Sequence, residues 1–477
     1  MNAPILRLFA LIVVLFGVLV YFTSKSTVFT ADALRNNQRN QRAVLAQQKI
    51  HRGKILAADG TTLARSVPAG GGTYTRRYPN SLFSQAVGYS YTTPGRAGLE
   101  REYNDPLTGQ HGEFKTILDQ LTGDKPVGDE LVTQLDPVAQ RVALDGLAGR
   151  RGAVVALDPR SGAVKVMASD PGFDQNLMGT RGGLAELNTA EGSPTLNRTT
   201  QGLYPPGSTF KVVTAIAAMD SGRFTPDSVL SGKSPLEVSG TPLANDSGEQ
   251  FGDIDLTTAL TNSVNTVWAQ VALKLGAPTM AKYMDRLGFG KDPPMDYPDD
   301  QMRPSGLYVD RGRRRVSATD RRVDLGRMAI GQDKLLVTPM QMAMVASSVA
   351  NDGVLMQPRL GDKVVDPDGR VRDSIDPQEE SRVMSAKSAR EVTEMMARVV
   401  DEGTGTAAAL NGIAVAGKTG TAQIDIDNGT TQPWFIAFAP VDNPKVAIAV
   451  TVERSDGGQG GTVAAPIARD VMETLLR

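Results

Sequence analysis

The most apolar stretch of the chain lies near its amino terminus, where residues 8–22 form an uninterrupted apolar run. Apolar residues before Arg7 extend the run to nearly the ~20 residues that cross a bilayer. Ala31 and Ala33 have the spacing of a signal-peptidase site, but they lie too far past the run for cleavage. We therefore predict a short cytoplasmic tail and an uncleaved transmembrane anchor over residues 1–25, with the rest of the chain extracytoplasmic.

The next part of the chain shows short and irregular patterns. Two β-prone runs flank Asp59-Gly60, a dipeptide typical of tight hairpin turns. A strand pattern at 131–136 leads into a helix pattern at 137–147. No cluster of nucleophiles, acids and bases stands out in this interval. We therefore predict a non-catalytic N-terminal module over residues 26–150.

From residue 151 onward, apolar runs alternate with turn-rich segments. Five β-prone runs predict strands at 153–157, 163–167, 413–422, 434–439 and 446–452. Apolar periodicity predicts helices at 339–349, 386–400 and 465–476, and residues 290–322 are predicted as a surface excursion. Residues 151–477 are therefore predicted as one α+β domain, with an antiparallel sheet of about five strands flanked by helices.

Two further helical patterns carry polar side chains of chemical interest. One begins after two prolines and runs to Met219, with Ser208 in its first turn and Lys211 three residues later. Residues three apart lie on the same face of a helix, so this hydroxyl and this amine can meet. The other covers residues 255–275 and is predicted as one continuous helix that includes Ser263.

Composition narrows the kinds of chemistry that are open to this chain. Its 477 residues favour two or three domains. The chain has 51 basic and 52 acidic residues and so carries a net charge of only −1. Its overall electrostatic field therefore does not favour a nucleic-acid partner. Cysteine is absent and the two histidines, His51 and His111, both precede Ser208, so a metal site, thiolate catalysis or a Ser-His-Asp triad is not expected. A serine enzyme of this composition needs lysine as its base, and we expect no cofactor.

Three short motifs follow one another and together suit acyl transfer. Ser208 is the candidate nucleophile, and Lys211 is its base if burial and a second cation, Lys418, keep the amine neutral. Ser263 offers a hydroxyl for proton relay. Asn265 offers an amide that either holds the acyl side chain of a substrate or orients Lys211. Ser-x-x-Lys alone is expected about once by chance in a chain of this length, so the ordered set carries the argument.

The third motif continues past its lysine as Lys418-Thr419-Gly420-Thr421. Thr419 and Thr421 are candidates for binding a substrate carboxylate. Gly420 is expected to let a substrate backbone lie against the strand edge. The backbone N–H groups of Ser208 and Thr421 are candidates for an oxyanion hole.

The ordered motifs resemble the Ser-x-x-Lys, Ser-x-Asn and Lys-Thr-Gly signature of penicillin-binding proteins and serine β-lactamases. The wider chain resembles a class B, monofunctional penicillin-binding protein, most of all its actinobacterial, division-associated branch. The resemblance spans nearly all of residues 1–477, and its further matches are Arg52-Gly53-Lys54-Ile55, Gly98-Leu99-Glu100, Leu107-Thr108-Gly109, Gly403-Thr404-Gly405 and Trp434-Phe435.

The resemblance implies a peptidoglycan D,D-transpeptidase. Ser208 would attack the penultimate D-Ala carbonyl of a stem peptide that ends in D-Ala-D-Ala, and β-lactams would acylate the same serine. No glycosyltransferase domain precedes the module, so the implied partner is a membrane glycosyltransferase of the shape, elongation, division and sporulation (SEDS) family, together with division proteins. No residue can be assigned as the deacylating glutamate of class A β-lactamases, so hydrolytic resistance is not expected.

Two alternatives remain open from the sequence. The same residues would serve a D,D-carboxypeptidase, which gives the acyl group to water. A non-catalytic penicillin-sensing receptor or scaffold would use the acyl site only as a signal; the single anchor and the N-terminal motifs weigh against a multi-pass sensor.

Overall fold

A computed structural model describes residues 3–25, 48–110, 127–310, 312–425 and 428–477. Its first element is a 22-residue helix, Ala3–Ser24, none of which is buried against the rest of the protein. The helix is long and apolar enough to cross a membrane by length and composition. The predicted apolar helix is thus present, while residues 26–47 and 111–126 of the predicted N-terminal module lie outside the described residues.

The sheet that carries the Lys418-Thr419-Gly420 motif contains the five predicted strands, and all of its neighbouring strands pair antiparallel. In spatial order the strands are Ala416–Asp425, Thr430–Ala439, Val446–Val452, Gly152–Leu157 and Val164–Asp170. A two-residue strand, Ser455–Asp456, adds to Thr430–Ala439. The first strand, Ala416–Asp425, is an edge strand, and we call it the edge strand below.

Helices cover both faces of this sheet, which explains why its strands are apolar runs and not alternating patterns. Along one strand Val154 packs into the core with helices Pro137–Leu147 and Ala465–Leu476. Its neighbour Val155 points to the opposite face and packs into the larger core, with Pro339–Ala350. The arrangement confirms the predicted α+β class.

The remaining helices of the described residues lie mostly on the side of the larger core. The α-helices are Ser84–Val87, Gly98–Glu102, Asn104–Leu107, Gly183–Thr189, Lys211–Asp220, Leu256–Thr261, Asn265–Leu275, Ala277–Arg286, Leu325–Met328 and Ala386–Asp401. The 3-10 turns are Gln175–Gly179, Gly207–Phe210, Asp246–Gly248, Asp299–Gln301 and Thr406–Ala408, and Gly460–Ala464 forms a π-turn.

A second sheet contains strands from both sides of the predicted domain boundary near residue 150. Its strands, in order, are Val371–Ser374, Gly361–Val365, Glu130–Thr133, Ile55–Leu56, Thr62–Gly70 and Thr73–Arg77. The predicted hairpin at Asp59-Gly60 is present, because Ile55–Leu56 pairs antiparallel with Thr62–Gly70. The first two strands come from the catalytic half of the chain, and the second of them, Gly361–Val365, pairs with Glu130–Thr133 of the N-terminal half. A domain boundary near residue 150 therefore stays a prediction about folding units.

Five smaller strand groups complete the described fold. They are Ser90–Tyr91 with Gly95–Arg96; Val229–Ser231 with Asp253–Asp255; Leu236–Val238 with Thr241–Leu243; Gly306–Val309 with Arg314–Val316 and Leu335–Leu336; and Val354–Met356 with Glu379–Arg382. Gly306–Val309 is wholly buried. The prediction of a surface excursion over 290–322 is therefore wrong for this strand, since charged residues on both sides of it obscure its short apolar pattern.

A buried ion-pair cluster ties together the N-terminal motifs. The fully buried carboxylate of Glu100 accepts hydrogen bonds from Arg52 Nε at 2.6 Å and Arg76 Nε at 2.5 Å. Tyr78 adds its hydroxyl at 3.2 Å. Burial alone would raise the pKa of Glu100, but the two guanidinium groups outweigh it and hold the pKa below its usual value. The cluster is structural, because it pairs one buried anion with the cations around it.

We expect Glu100→Gln to destabilise the N-terminal sheet by about 3–5 kcal/mol, because two buried guanidinium groups lose their counter-ion. Hydrogen exchange in Thr62–Gly70 and Thr73–Arg77 measures the change. The control is Glu130→Gln, which removes an exposed pair with Lys54 and is expected to change stability by less than about 1 kcal/mol. Equal protection in both variants would contradict the assigned role of the cluster.

Candidate active site

The candidate nucleophile lies in a tight 3-10 turn, Gly207–Phe210, which we call the nucleophile turn. The α-helix follows directly as Lys211–Asp220 and is buried along almost its whole length. The prediction placed Ser208 in the first turn of the α-helix, whereas the structure places it in the 3-10 turn before it. The outcome for the side chains is the same, since Ser208 Oγ and Lys211 Nζ lie 3.0 Å apart.

Contacts from distant parts of the chain hold the nucleophile turn in place. Gly207 has a φ of 53° and donates its N–H to Gly331 O at 3.0 Å. The indole Nε1 of Trp434 donates to Pro205 O at 2.9 Å. Tyr204 exchanges backbone hydrogen bonds with Val337. Hydrogen bonds to three other segments of the chain thus fix the turn and the residues before it.

The second motif lies at a break between two helices. Leu256–Thr261 ends before Ser263, and Asn265–Leu275 begins after it. The prediction of one continuous helix over 255–275 is therefore wrong. Ser263 adopts a φ of 59°, a left-handed conformation that costs about 1 kcal/mol or more for a non-glycine residue. This conformation turns both its carbonyl and its hydroxyl toward Lys211.

The amine of Lys211 is the point at which the motifs meet. Besides Ser208 Oγ, it lies 2.5 Å from Ser263 O, 3.2 Å from Ser263 Oγ and 2.7 Å from Asn265 Oδ1. The side chain is fully buried. Burial, followed by the charge of Lys418, lowers the pKa of Lys211 well below its usual value, and Asp246 opposes this shift.

The contacts of this amine suit its neutral form. A neutral amine has two N–H groups and one lone pair. The carbonyl of Ser263 and Oδ1 of Asn265 can only accept, so they take the two N–H groups. The lone pair is then left for a hydroxyl proton, and Ser208 and Ser263 both offer one.

The amide of Asn265 has a defined orientation. Its Nδ2 donates to Ala244 O at 3.0 Å, which leaves Oδ1 facing Lys211. Of the two uses predicted for this side chain, the structure shows the contact that orients Lys211. The second N–H of the amide is left for another acceptor.

The third motif lies on the edge strand beside the nucleophile turn. Lys418 is fully buried, and its Nζ donates to Thr419 O at 3.1 Å. Burial lowers the pKa of Lys418 to about 7. The charge of Lys418 acts on Lys211, as predicted from the motif order. Two lysines thus share the site, and neither amine forms an ion pair with a carboxylate among the described residues.

Gly420 is required for a different reason from the one predicted. A Cβ at this position would come within 2.7 Å of Pro206 O and 2.9 Å of Thr209 Cγ2. The missing side chain therefore lets the edge strand pack against the nucleophile turn. Lys418 and Gly420 share this face of the strand, because alternate residues point the same way.

The backbone of Thr421 faces the open edge of the sheet. Thr421 lies opposite Pro433, which has no N–H. This pair is therefore a non-hydrogen-bonded pair of the antiparallel ladder, in which the N–H groups point outward. The N–H of Ser208 belongs to the first donors of the nucleophile turn, which lack partners within their own turn. The N–H of Thr421 thus points to the open edge of the sheet, and the oxyanion hole formed by these two donors stays a prediction.

The hydroxyls of the edge strand are tied to two glycine-rich segments. Thr419 Oγ1 lies 2.6 Å from Thr404 Oγ1, and Gly460 N donates to Thr421 Oγ1 at 3.1 Å. From the sequence alone, Thr404 and Trp434 match segments of the family but have no assigned role. Their contacts join residues far apart in the chain, so local patterns do not reveal them.

All the predicted site residues therefore come together in one place. Ser208, Lys211, Ser263 and Asn265 form one set of direct contacts, and Lys418 acts on it through its charge.

Comparison with known proteins agrees with this geometry. Residues 152–473 match the family described as penicillin binding protein transpeptidase domain, and residues 52–131 match the penicillin binding protein A dimerisation domain. The peptidoglycan D,D-transpeptidase PbpA of Mycolicibacterium smegmatis is 34% identical over 100% of this chain and 99% of the relative. PbpA of Mycobacterium tuberculosis is 33% identical over the same shares.

Solved structures lead to the same family. A ceftriaxone acyl-enzyme complex of penicillin-binding protein A from M. tuberculosis has a TM-score of 0.81 and 30% identity, covering 91% of this chain and 100% of that one. The D,D-transpeptidase domain of a peptidoglycan glycosyltransferase from Eggerthella lenta has a TM-score of 0.77 and 32% identity, covering 90% and 98%. The resemblance inferred from the motifs is confirmed: the chain belongs to the penicillin-binding protein transpeptidases, in the branch of penicillin-binding protein A.

Proposed function

We propose that this chain is a peptidoglycan D,D-transpeptidase that crosslinks stem peptides through an acyl-enzyme on Ser208. The observation that carries the proposal is the buried amine of Lys211, which lies 3.0 Å from Ser208 Oγ with two acceptors on its other side. A neutral amine at this distance is a base for the serine. The relatives named D,D-transpeptidase support the choice of reaction.

Acylation uses the site as follows. Lys211 takes the proton of Ser208 as the serine oxygen attacks the penultimate D-Ala carbonyl. The N–H groups of Ser208 and Thr421 hold the oxyanion that forms. The proton then reaches the leaving D-Ala amine through the hydroxyl of Ser263, which lies 3.2 Å from Lys211 Nζ. The C–N bond breaks and an ester with Ser208 remains.

Transfer reverses these proton movements. The amine of a neighbouring stem attacks the ester carbonyl, a new C–N bond forms and the bond to Ser208 breaks. The amine proton returns to Ser208 by way of Ser263 and Lys211, which restores the free enzyme. β-Lactams acylate Ser208 in the first half of this cycle, and the reaction then stops at the ester. This agrees with the acyl-enzyme complex of the M. tuberculosis relative.

Recognition of the donor falls to the edge strand. Its open edge lets the stem peptide add as a further strand. The terminal carboxylate binds to the hydroxyls of Thr419 and Thr421, and the cationic form of Lys418 favours it from behind. Gly420 contributes by letting the edge strand pack closely against the nucleophile turn.

The cellular setting follows from the amino-terminal helix. The chain is consistent with a membrane-anchored protein, and its catalytic domain would work on the outer side of the membrane, where peptidoglycan lies. A SEDS-type glycosyltransferase and division proteins are the proposed partners, since crosslinking acts on glycan strands that another enzyme must supply. No cofactor is needed for this chemistry.

The function is tested by incubating the full chain in detergent with a pentapeptide donor and a stem acceptor. We expect crosslinked dimer that is resolved by mass, together with a covalent shift by penicillin at Ser208. Ser208→Ala should abolish both. A wild-type protein that forms only trimmed peptide would support a carboxypeptidase, and dimer formation by Ser208→Ala would contradict the proposal.

The role of Lys211 is tested separately. Lys211→Gln should slow acylation by a fluorescent penicillin about 10²–10⁴-fold, because the serine loses its base. Lys274→Gln removes an exposed lysine from helix Asn265–Leu275 and serves as the matched control, with acylation at the wild-type rate. Equal rates for the two variants would remove Lys211 from the mechanism.

A further inference from the structure

In the proposed transpeptidation, on which the following inference rests, an acceptor amine must reach a site that already contains positive charge. A primary amine like that of lysine is a cation at neutral pH. The site it must reach contains Lys211 and Lys418, and Lys418 still carries part of its charge near pH 7. The remaining charge of Lys418 disfavours the approach of a cationic acceptor, and an anion at the mouth of the site would offset it.

A short loop at residues 244–249 is fastened to the second motif. Besides the contact from Asn265 to Ala244 O, the buried Asn245 accepts the N–H of Thr266 at 3.0 Å. Nδ2 of Asn245 donates to Gly232 O and Glu249 O, both at 3.0 Å. These bonds fix the loop to the first turn of helix Asn265–Leu275, next to the catalytic groups.

Asp246 is held by this loop at the rim of the site. It follows Asn245 directly and is exposed. Its Cα lies within about 7 Å of Ala244, because consecutive Cα atoms are ~3.8 Å apart. Among the described residues, Asp246 is the one carboxylate whose field acts on Lys211. The nearby acid Glu249 is also exposed, but it exerts no such effect.

We propose that Asp246 is a specificity residue for the acceptor, which it attracts as an ammonium ion and guides to the acyl-enzyme. The charge belongs to the loop that is fastened to Asn265, whereas the donor is proposed to bind at the edge strand. The acceptor therefore enters beside Ser263, whose hydroxyl accepts a proton from the attacking amine.

The transfer step balances in this arrangement. The ammonium group first loses one proton to water and becomes a neutral amine. Its nitrogen forms a bond to the acyl carbon, the ester bond to Ser208 breaks, and the remaining surplus proton passes to Ser208 Oγ through Ser263. Asp246 itself exchanges no proton; its charge raises the local concentration of the cationic acceptor.

The test compares two acceptors on the full chain acylated by a peptide donor. One acceptor carries a primary amine, and the other is the corresponding hydrazide, which is uncharged at neutral pH. For Asp246→Asn we expect the ratio of transfer to hydrolysis to fall about five-fold with the amine at low salt, because one favourable charge interaction with the cation is lost. With the hydrazide the ratio stays unchanged, and high salt narrows the difference.

Three controls make the result decisive. Glu249→Gln removes the same charge three residues away and should keep the wild-type ratio, whereas Asp246→Glu should restore it. Acylation by a fluorescent penicillin needs no acceptor, so it reports folding and the first half-reaction. An unchanged ratio with the amine, or an equal fall with both acceptors, would overturn the proposal. Absence of acylation in the wild type would instead defeat the proposed function itself.

Discussion

The site depends on the burial of one amine, that of Lys211. In water a lysine holds its proton at neutral pH and cannot serve as a base. Here the amine is fully buried, and within the described part of the chain its pKa is lowered by burial and by a second lysine, while no carboxylate contacts it. Both effects disfavour the charged form, and the two fixed acceptors then direct the lone pair toward the serines. The nucleophile and its base are thus produced by desolvation, without histidine.

Three distant segments must meet around that amine, and much of the fold serves this meeting. Along the chain, the nucleophile turn follows the strand Val164–Asp170 and directly precedes the helix Lys211–Asp220. The Ser263 turn lies between two helices of the larger core, and the edge strand arrives near the carboxyl terminus. Gly420 permits the close approach of the edge strand to the nucleophile turn. Trp434, on the strand next to the edge strand, donates a hydrogen bond to the carbonyl of Pro205. A sheet buried on both faces provides the rigid base for these contacts.

The sequence predicts the parts of the fold whose signals are local. Strands such as Gly152–Leu157 and Val446–Val452 are found because burial on both faces makes them continuous apolar runs. The break at Ser263 is missed, since no glycine or proline marks it and tertiary contacts hold the left-handed conformation. The pairing of Gly361–Val365 with Glu130–Thr133 is also missed, because it joins residues far apart in the chain. Site residues are found through motif order, but contacts such as that of Thr404 with Thr419 require the structure.

The central claim is that Lys211 is neutral before the serine reacts. Its most direct measurement is a pH titration of the lysine side chains by NMR in the full chain labelled at the lysine ε-carbons. Comparison with the Lys211→Gln variant assigns the signal. The account predicts that burial and the charge of Lys418 make Lys211 titrate well below the usual lysine value, and that Lys418 titrates near pH 7. A Lys211 signal that titrates near the usual lysine value, about 10.4, would contradict the account.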